Sequence, residues 1–211
     1  SIETHIPMIK IEDIHVDENN KNLNIEYNGN LDDDIYHIYT SGTTGKPKAV
    51  SVIQRNVLNL VHAWTERLSL SDDEVYLQYA NYVFDASATD FYCSLLNGYP
   101  LVIATSTERT NTEQLERLIL QEKITIASIP LQVYNVMHNF YIPKVITGGA
   151  TSTPAFVQHI TKHCDMYINA YGPSENTVIA MCWTHTKGEP IPSTIPIGQP
   201  LANVEVYIMS G

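Results

Sequence analysis

The sequence predicts an α/β fold: a mostly parallel sheet of βαβ units flanked by helices. Three observations carry this. From Tyr99 onward short apolar runs alternate with helix-like segments, those segments open on helix start signals, and small-residue turns follow the strand-like runs. Strands alternating with helices at this pace pair in parallel, and their carboxyl-end loops gather at one edge of the sheet, where ligands bind.

Taken in order, residues 1–34 read as a peripheral lead-in that alternates short apolar groups with Asp, Glu and Asn. Ile35 to Tyr39 then reads as a short buried strand, followed by the Gly/Thr/Ser-rich loop SGTTGKPK. Apolar residues at Ile53, Val57, Leu60, Val61, Trp64 and Leu68 mark one face of an amphipathic helix. Asp85, after the apolar run Tyr82-Val83-Phe84, could be a turn residue or the cap of a helix running toward Gly98. Then come PLVIA, the helical TNTEQLERLILQEK with Thr110 or Asn111 as its cap, ITIASIP, the short LQVYNVMH, PKVITGG, the helical TPAFVQHITKH opening on Thr153-Pro154, and MYINAYG. Three turns, Ser128-Ile129-Pro130, Thr147-Gly148-Gly149-Ala150 and Ala170-Tyr171-Gly172-Pro173, fall at strand ends and should converge on one crevice.

Composition narrows the function. Twelve Lys and Arg against 23 Asp and Glu give a net charge of −11, with no basic run. That argues against a nucleic-acid or anionic-membrane surface. No apolar stretch approaches membrane-spanning length, and the N-terminus carries acidic residues where a signal peptide would be basic, so the reading is cytoplasmic. Cys93, Cys164 and Cys182 are widely separated and form no CxxC pair, so packed, reduced thiols are expected.

The strongest chemical signal is Tyr39-Thr40-Ser41-Gly42-Thr43-Thr44-Gly45-Lys46-Pro47-Lys48. Hydroxyls, two glycines and two lysines on one short loop offer amide donors and positive charge without bulk, which suits a phosphate chain. It is not a Walker loop: the spacing is Gly-x-x-Gly-Lys, and Pro47 stands where the magnesium-binding Ser/Thr would be.

The string YTSGTTGKPKAV resembles the phosphate-binding signature of adenylate-forming enzymes, a superfamily of acyl-CoA synthetases, luciferases and the adenylation domains of nonribosomal peptide synthetases. Asn169-Ala170-Tyr171-Gly172-Pro173-Ser174-Glu175-Asn176-Thr177 resembles its NxYGPTE segment, with Ser174 replacing Thr. Ile195-Pro196-Ile197-Gly198-Gln199-Pro200, with Asn203 and Tyr207, is similar to its IGxPxxNxxxY stretch. The resemblance implies the large subdomain of such an enzyme. It places Thr40, Ser41, Gly42, Thr43, Thr44, Gly45 and Lys46 on the β- and γ-phosphates of ATP, Tyr171 against the adenine, and Gly149 with Ala150 beside the base. Asn169, Ala170 and Gly172 complete that site, Ser174 meets the α-phosphate, and Glu175 is the magnesium ligand. Thr40, Lys46, Ser174 and Glu175 are the implied catalytic groups.

Phe84-Asp85-Ala86-Ser87 points to the subclass. In amino-acid-activating members FDAS carries the Asp that pairs with the substrate's α-ammonium, and a carboxylate in an apolar pocket is costly unless a cation meets it. The implied pocket is Asp85, Ala86, Thr89, Ser128, Ile146, Gly148, Ala170, Val178 and Ile179, with Phe84 beside its entrance. Its volume and apolar walls suit phenylalanine or tyrosine; branched aliphatics such as valine stay open, and charged side chains are excluded.

The expected reaction is attack of an amino acid's carboxylate on Mg-ATP, giving aminoacyl-AMP and pyrophosphate. The aminoacyl group would pass to the phosphopantetheine of a carrier domain, in a synthetase that also holds a condensation domain. By the same resemblance the chain is a partial core, residues 35–211 carrying the motifs. It would lack the ribose-binding Asp, the hinge and the small C-terminal domain with its lysine, and so be weakly active at best. An acyl- or aryl-acid-CoA ligase and a non-catalytic nucleotide-binding or scaffold piece are the alternatives. His159 and His163, four apart before Cys164, could face one metal, but with no Glu after His159 and no further ligands they read as a solvated helix end.

Overall fold

A computed structural model describes residues 28–40 and 46–209. The chain divides into two compact units, Ser1–Asn30 and Leu31–Gly211, and the second carries the architecture below. Residues 31–33 lie against the amino end of the helix that opens at Gln54. The carbonyls of Asp33 and Leu31 accept from the amides of Gln54 and Arg55 at 3.0 and 2.9 Å, and Asp32 pairs with the Arg55 guanidinium at 2.7 Å.

Two strands, β1 (Asp34–Thr40) and β2 (Lys48–Ile53), form an antiparallel hairpin, with Thr40 opposite Lys48 at the foot of the Gly/Thr loop. The strand expected to be buried here is half-exposed, because it stands in this two-stranded sheet with one covered face. Among the described residues seven further strands form the main sheet, in the order β4 (Leu101–Ile103), β3 (Tyr76–Gln78), β5 (Ile126–Ser128), β6 (Lys144–Gly148), β7 (Met166–Tyr171), β8 (Met181–Thr186) and β9 (Gln199–Pro200). The first five are parallel, as the alternating pattern predicts, and β8 and β9 add on antiparallel.

Strand periodicity sorts the core into two halves. Leu77, Ala127, Val145 and Tyr167 face one side, packed under α4 (Thr112–Gln121), α5 (Leu131–Tyr134) and α6 (Pro154–Ile160). Their neighbours Tyr76, Ile126, Ile146 and Ile168 face the other, under α1 (Gln54–Leu68) and α2 (Ala86–Leu95). The apolar stripe read from α1 is the one buried: Val57, Leu60, Val61, Trp64 and Leu68.

The expected helix TNTEQLERLILQEK is preceded by a separate turn, α3 (Ser106–Thr110), held by a capping box between Thr105 and Glu108. Thr110 therefore closes α3, and Asn111 caps α4 by accepting from the Gln114 amide. Thr153 caps α6 in the same way, with Pro154 in its first turn.

At the amino ends of the parallel strands lies a buried polar cluster. Glu74, 2% exposed, accepts from Lys144 Nζ at 2.5 Å and Thr125 Oγ1 at 2.6 Å, joining the starts of β3, β5 and β6. Burial works to raise the Glu74 pKa, and the hydrogen bonds and charge of Lys144, with help from Thr125 and Ser71, overcome it and hold the group below the ordinary carboxylate range. The three cysteines are buried and free; burial raises all three thiols, Cys164 to about 12. No helix among the described residues is long and apolar enough to cross a membrane.

Candidate active site

The crevice forms at the opposite, carboxyl ends of the strands. Ser128 ends β5, Ile146 and Gly148 close β6, and Ala170 stands beside Gly148 near the end of β7. Asp85, Ala86 and Thr89 come from the first turn of α2, and Val178 with Ile179 from the loop before β8. The structure brings these nine positions together around one cavity of about 200 Å³, with Gly149 and Gly172 also on its wall.

Two features of the loop after β7 shape that wall. Gly172 lies so close to the returning chain that a Cβ there would sit 2.3 Å from the Val178 carbonyl oxygen and 2.7 Å from the Ala180 amide. Thr177 and Val178 have φ of 56° and 70°. Val178 is β-branched, so this conformation is strained at a cost of about 1–3 kcal/mol. The bond from the Ala180 amide to the Tyr171 carbonyl, at 2.8 Å, clamps the loop shut and offsets the strain. These wall contacts were not legible in the sequence, because a glycine motif does not reveal which distant backbone approaches it.

Asp85 occupies the N-cap position of α2, yet its side chain makes no capping bond. Its carboxylate instead accepts a hydrogen bond from the Ser174 hydroxyl. Ser174 opens a single 3-10 turn, Ser174–Asn176, immediately after Pro173, so this bond joins the NAYGPSE segment to the FDAS segment. Burial raises the Tyr36 phenol, and the Asp85 charge adds to that shift. A groove of about 740 Å³ runs from Asp85 and Ser174 past the exposed Phe84 and Tyr82 to Tyr39 and Thr40 on β1. Thr40 and Lys46 therefore stand at the stem of the Gly/Thr loop, Thr40 beside the groove; Ser41, Gly42, Thr43, Thr44 and Gly45 lie outside the described residues.

The remaining positions divide into open and occupied. Tyr171 is 50% exposed at the end of β7, and Gly149, Ala150 and Glu175 are exposed. Asn169 is buried, and its amide donates to the Pro196 carbonyl at 2.8 Å, tying β7 to the IPIGQP stretch. In that stretch Gly198 has φ of 94°, and a Cβ would meet the Cys182 carbonyl at 1.9 Å, so only glycine fits. Asn203 donates to the Asn59 side chain on α1 at 2.7 Å, and exposed Tyr207 donates to Glu205.

The spacing, order and geometry of these segments agree with family membership. The family described as AMP-binding enzyme matches residues 6–210. The chain belongs to the AMP-binding enzyme family. This AMP-binding chain is 36% identical over 179 residues to bacitracin synthase 2 of Bacillus licheniformis, covering 82% of this chain and 7% of that protein. It is 34% identical over 178 residues to gramicidin S synthase 1 of Brevibacillus brevis, covering 82% and 16%. The chain thus spans a small part of the relatives it matches. Among solved structures, the N-terminal subdomain of Klebsiella oxytoca NpsA in complex with anthranilyl-AMSN superposes with TM-score 0.72 at 26% identity, over 85% of this chain and 48% of that one. The Vibrio cholerae adenylation domain AlmE, in complex with glycyl-adenosine-5'-phosphate, shares the fold at TM-score 0.73 and 20% identity, over 83% and 35%.

The histidine pair has a packing role. His163 stacks on Phe140 with centroids 4.6 Å apart and its Nδ1 lies 3.1 Å from the Phe140 carbonyl, while His159 lies beside it at 5.4 Å. Both are half-buried rather than fully solvated, His163 because it stacks on Phe140. Among the described residues no group of three His, Cys, Asp or Glu is placed to hold a metal.

Proposed function

We propose that this chain carries the amino-acid-activating core of a nonribosomal peptide synthetase. The carboxylate of an α-amino acid attacks the α-phosphorus of ATP; a carboxyl O–P bond forms, the bond to the leaving phosphate breaks, and aminoacyl-AMP and pyrophosphate result. The observation that carries the reading is Asp85: a carboxylate set on the rim of a largely apolar cavity, held by a neutral hydroxyl and with no cation paired to it among the described residues. Such a group gains most from a ligand that brings an ammonium.

The other roles are those the family resemblance implies. Asp85 binds the α-ammonium and Ser174 holds Asp85 and faces the α-phosphate. Tyr171 offers a half-exposed ring to the adenine, with Gly149, Ala150, Ala170, Gly172 and Asn169 forming that side of the site. Thr40 and Lys46, with the loop between them, take the outer phosphates. Glu175 is an exposed carboxylate next to Ser174, which suits Mg²⁺, an ion bound by one or two carboxylates together with phosphate oxygens. The ion would neutralise charge as pyrophosphate departs. Catalysis here is positioning and charge stabilisation, since the substrate's own oxygen is the nucleophile.

Ala86, Gly148 and Ala170 leave room for a large side chain, and Ile146, Val178 and Ile179 supply apolar wall; a cavity of about 150 Å³ already holds benzene. Phenylalanine or tyrosine is therefore the proposed substrate. A carrier domain bearing phosphopantetheine and a condensation domain are the proposed partners; NpsA has been solved as an artificially fused adenylation–PCP di-domain with ThdA. The acidic chain and its three free thiols support a cytoplasmic setting.

The test is calorimetric titration of the chain with ATP, with sulfamoyl analogues of aminoacyl adenylates, and with an aryl-acid analogue such as the anthranilyl compound bound by NpsA. The reading expects aminoacyl analogues to bind and Asp85→Ala to weaken them about 100-fold or more while sparing ATP. Equal binding of aryl and aminoacyl analogues, unaffected by Asp85→Ala, would favour an aryl-acid ligase. A chain that binds neither ATP nor any analogue would refute activation altogether.

A further inference from the structure

Behind the turn between β6 and α6 lies a cluster of hydroxyls that the reading above does not use. The Tyr167 hydroxyl shares one hydrogen bond with Thr147 Oγ1, at 2.6 Å, and a second with Ser152 Oγ. All three residues are buried. Thr147 is the last residue before Gly148-Gly149-Ala150-Thr151 and Ser152 the first after it, so one phenol oxygen ties the two ends of this turn together. Little else holds it. Gly149 has φ of 71°, Gly149, Ala150 and Thr151 are exposed, and among the described residues Ala150 and Thr151 make no backbone hydrogen bond. The cluster stands on the opposite face of the sheet from the amino-acid cavity, because Val145 and Thr147 alternate with Ile146 and Gly148 along β6.

Packing alone does not call for tyrosine here. The Tyr167 ring is held edge-on by Phe156, with centroids 5.7 Å apart, and by Trp183, at 6.3 Å, and neither contact needs a hydroxyl. Buried hydroxyls are costly unless bonded; these three satisfy one another, and a satisfied buried network fixes geometry. Tyr167 pairs with Val145 in the register, two residues short of Thr147, so the length of the phenol is what carries its oxygen to the turn. We propose that Tyr167 is a positioning residue for nucleotide binding: its hydroxyl fixes both ends of the 148–151 turn from behind and so sets where Gly149 and Ala150 stand. The proposal rests on the adenylation reading, which puts those two residues beside the base, and deepens it. Tyr167 is fully buried and acts only through the turn.

The test is the affinity of ATP and of phenylalanyl-sulfamoyl adenosine for the 211-residue chain and four variants, measured by calorimetry at a temperature where circular dichroism shows each to be folded. Tyr167→Phe removes one oxygen and keeps the ring; it should weaken both ligands about fivefold or more, since both carry the adenine. Thr147→Val should do the same, while Thr147→Ser, which keeps the hydroxyl, should stay within about twofold of the unmodified chain. Lys144→Met, which costs stability at the other end of the same strand, should also stay within about twofold, as a distant site does. A Tyr167 that served stability alone would behave like Lys144. An ATP affinity unchanged in Tyr167→Phe overturns the proposal, and so does a loss in Lys144→Met as large as the loss in Tyr167→Phe. Should Tyr167→Phe not fold, the same comparison between Thr147→Val and Thr147→Ser decides, with equal affinities overturning the proposal. The ATP arm holds whatever the amino acid, and each of these failures leaves the adenylation reading standing. An unmodified chain that binds neither ATP nor any analogue in an aminoacyl panel overturns that reading and the proposal together.

Discussion

Replacing Gly172 by alanine puts a methyl group where the chain has no room. The new Cβ would stand 2.3 Å from the Val178 carbonyl oxygen, 2.7 Å from the Ala180 amide nitrogen and 2.8 Å from the Ile179 Cα. All three are backbone atoms, so no side chain can swing aside, and ordinary contact at about 3.5 Å requires the 178–180 segment to retreat by roughly an ångström. That retreat opens the Ala180 to Tyr171 hydrogen bond that closes the loop. Overpacking of this kind costs about 1–3 kcal/mol, and the lost bond adds about 1 kcal/mol.

The sum, about 2–4 kcal/mol, corresponds to a fall in melting temperature of roughly 5–15 °C for a unit of this size. Because Val178 and Ile179 are cavity wall, the same shift deforms the amino-acid pocket. Thermal melts followed by circular dichroism, with titration of an aminoacyl-adenylate analogue at a temperature where the variant is folded, read both consequences. A melting temperature within about 2 °C of the unmodified chain, corresponding to less than about 1 kcal/mol, together with unchanged affinity, would refute the reasoning.

Two further predictions concern buried charge. Lys144→Met leaves Glu74 as an unpaired buried carboxylate and should cost about 3–5 kcal/mol in urea unfolding at pH 7, largely recovered by adding Glu74→Leu. Glu74 is held below the ordinary carboxylate range, so its contribution is present above that range and lost as the pH falls through its folded pKa; the deficit of Lys144→Met should shrink in acid. Asp90 is 2% exposed, its Oδ2 has no partner, and burial raises its pKa well above the ordinary value. Its contribution is therefore full below the unfolded pKa and lost as the pH rises toward the folded one. Asp90→Asn should gain on the unmodified chain by up to about 1.4 kcal/mol per pH unit across that window. Urea midpoints at pH 5 and pH 8 that differ equally between the two proteins would exclude this.

Local signals made much of this architecture legible in advance. The parallel strands β4 to β7 follow from apolar runs separated by capped helices, and the Asn111 and Thr153 caps formed where the sequence places them. Ile35–Tyr39 misled because an apolar, alternating stretch suits either a central strand or one face of a hairpin, and only the partner strand decides. The antiparallel β8 carried no signal of its own: Met181–Thr186 mixes sulfur, aromatic and polar side chains, and its direction is set by the tight loop after Gly172. The nine positions of the implied amino-acid pocket line one cavity. The orphan hydroxyl of Thr89, the strain at Thr177 and Val178, and the bond from Ser174 to Asp85 needed coordinates, since each depends on residues far apart in the chain or on where a side chain fails to find a partner.

The two ends of the parallel sheet divide the work. At the amino ends Glu74, Thr125 and Lys144 interlock the starts of β3, β5 and β6 through buried hydrogen bonds and an ion pair. At the carboxyl ends the same strands finish in Gln78, Ser128 and Gly148, and the chain there keeps an unpartnered hydroxyl, two residues at positive φ and a carboxylate satisfied by one serine. Some of that cost can be met by a ligand, as an ammonium would meet Asp85. If that division is right, loss at the amino ends should weaken folding with or without ligand. Loss at the carboxyl ends, as in Asp85→Ala, should leave the free chain's melting temperature nearly intact and erase most of the rise that an aminoacyl analogue produces. An analogue-induced rise that is the same in Asp85→Ala as in the unmodified chain would show that the cavity is not where the ligand's binding energy is collected.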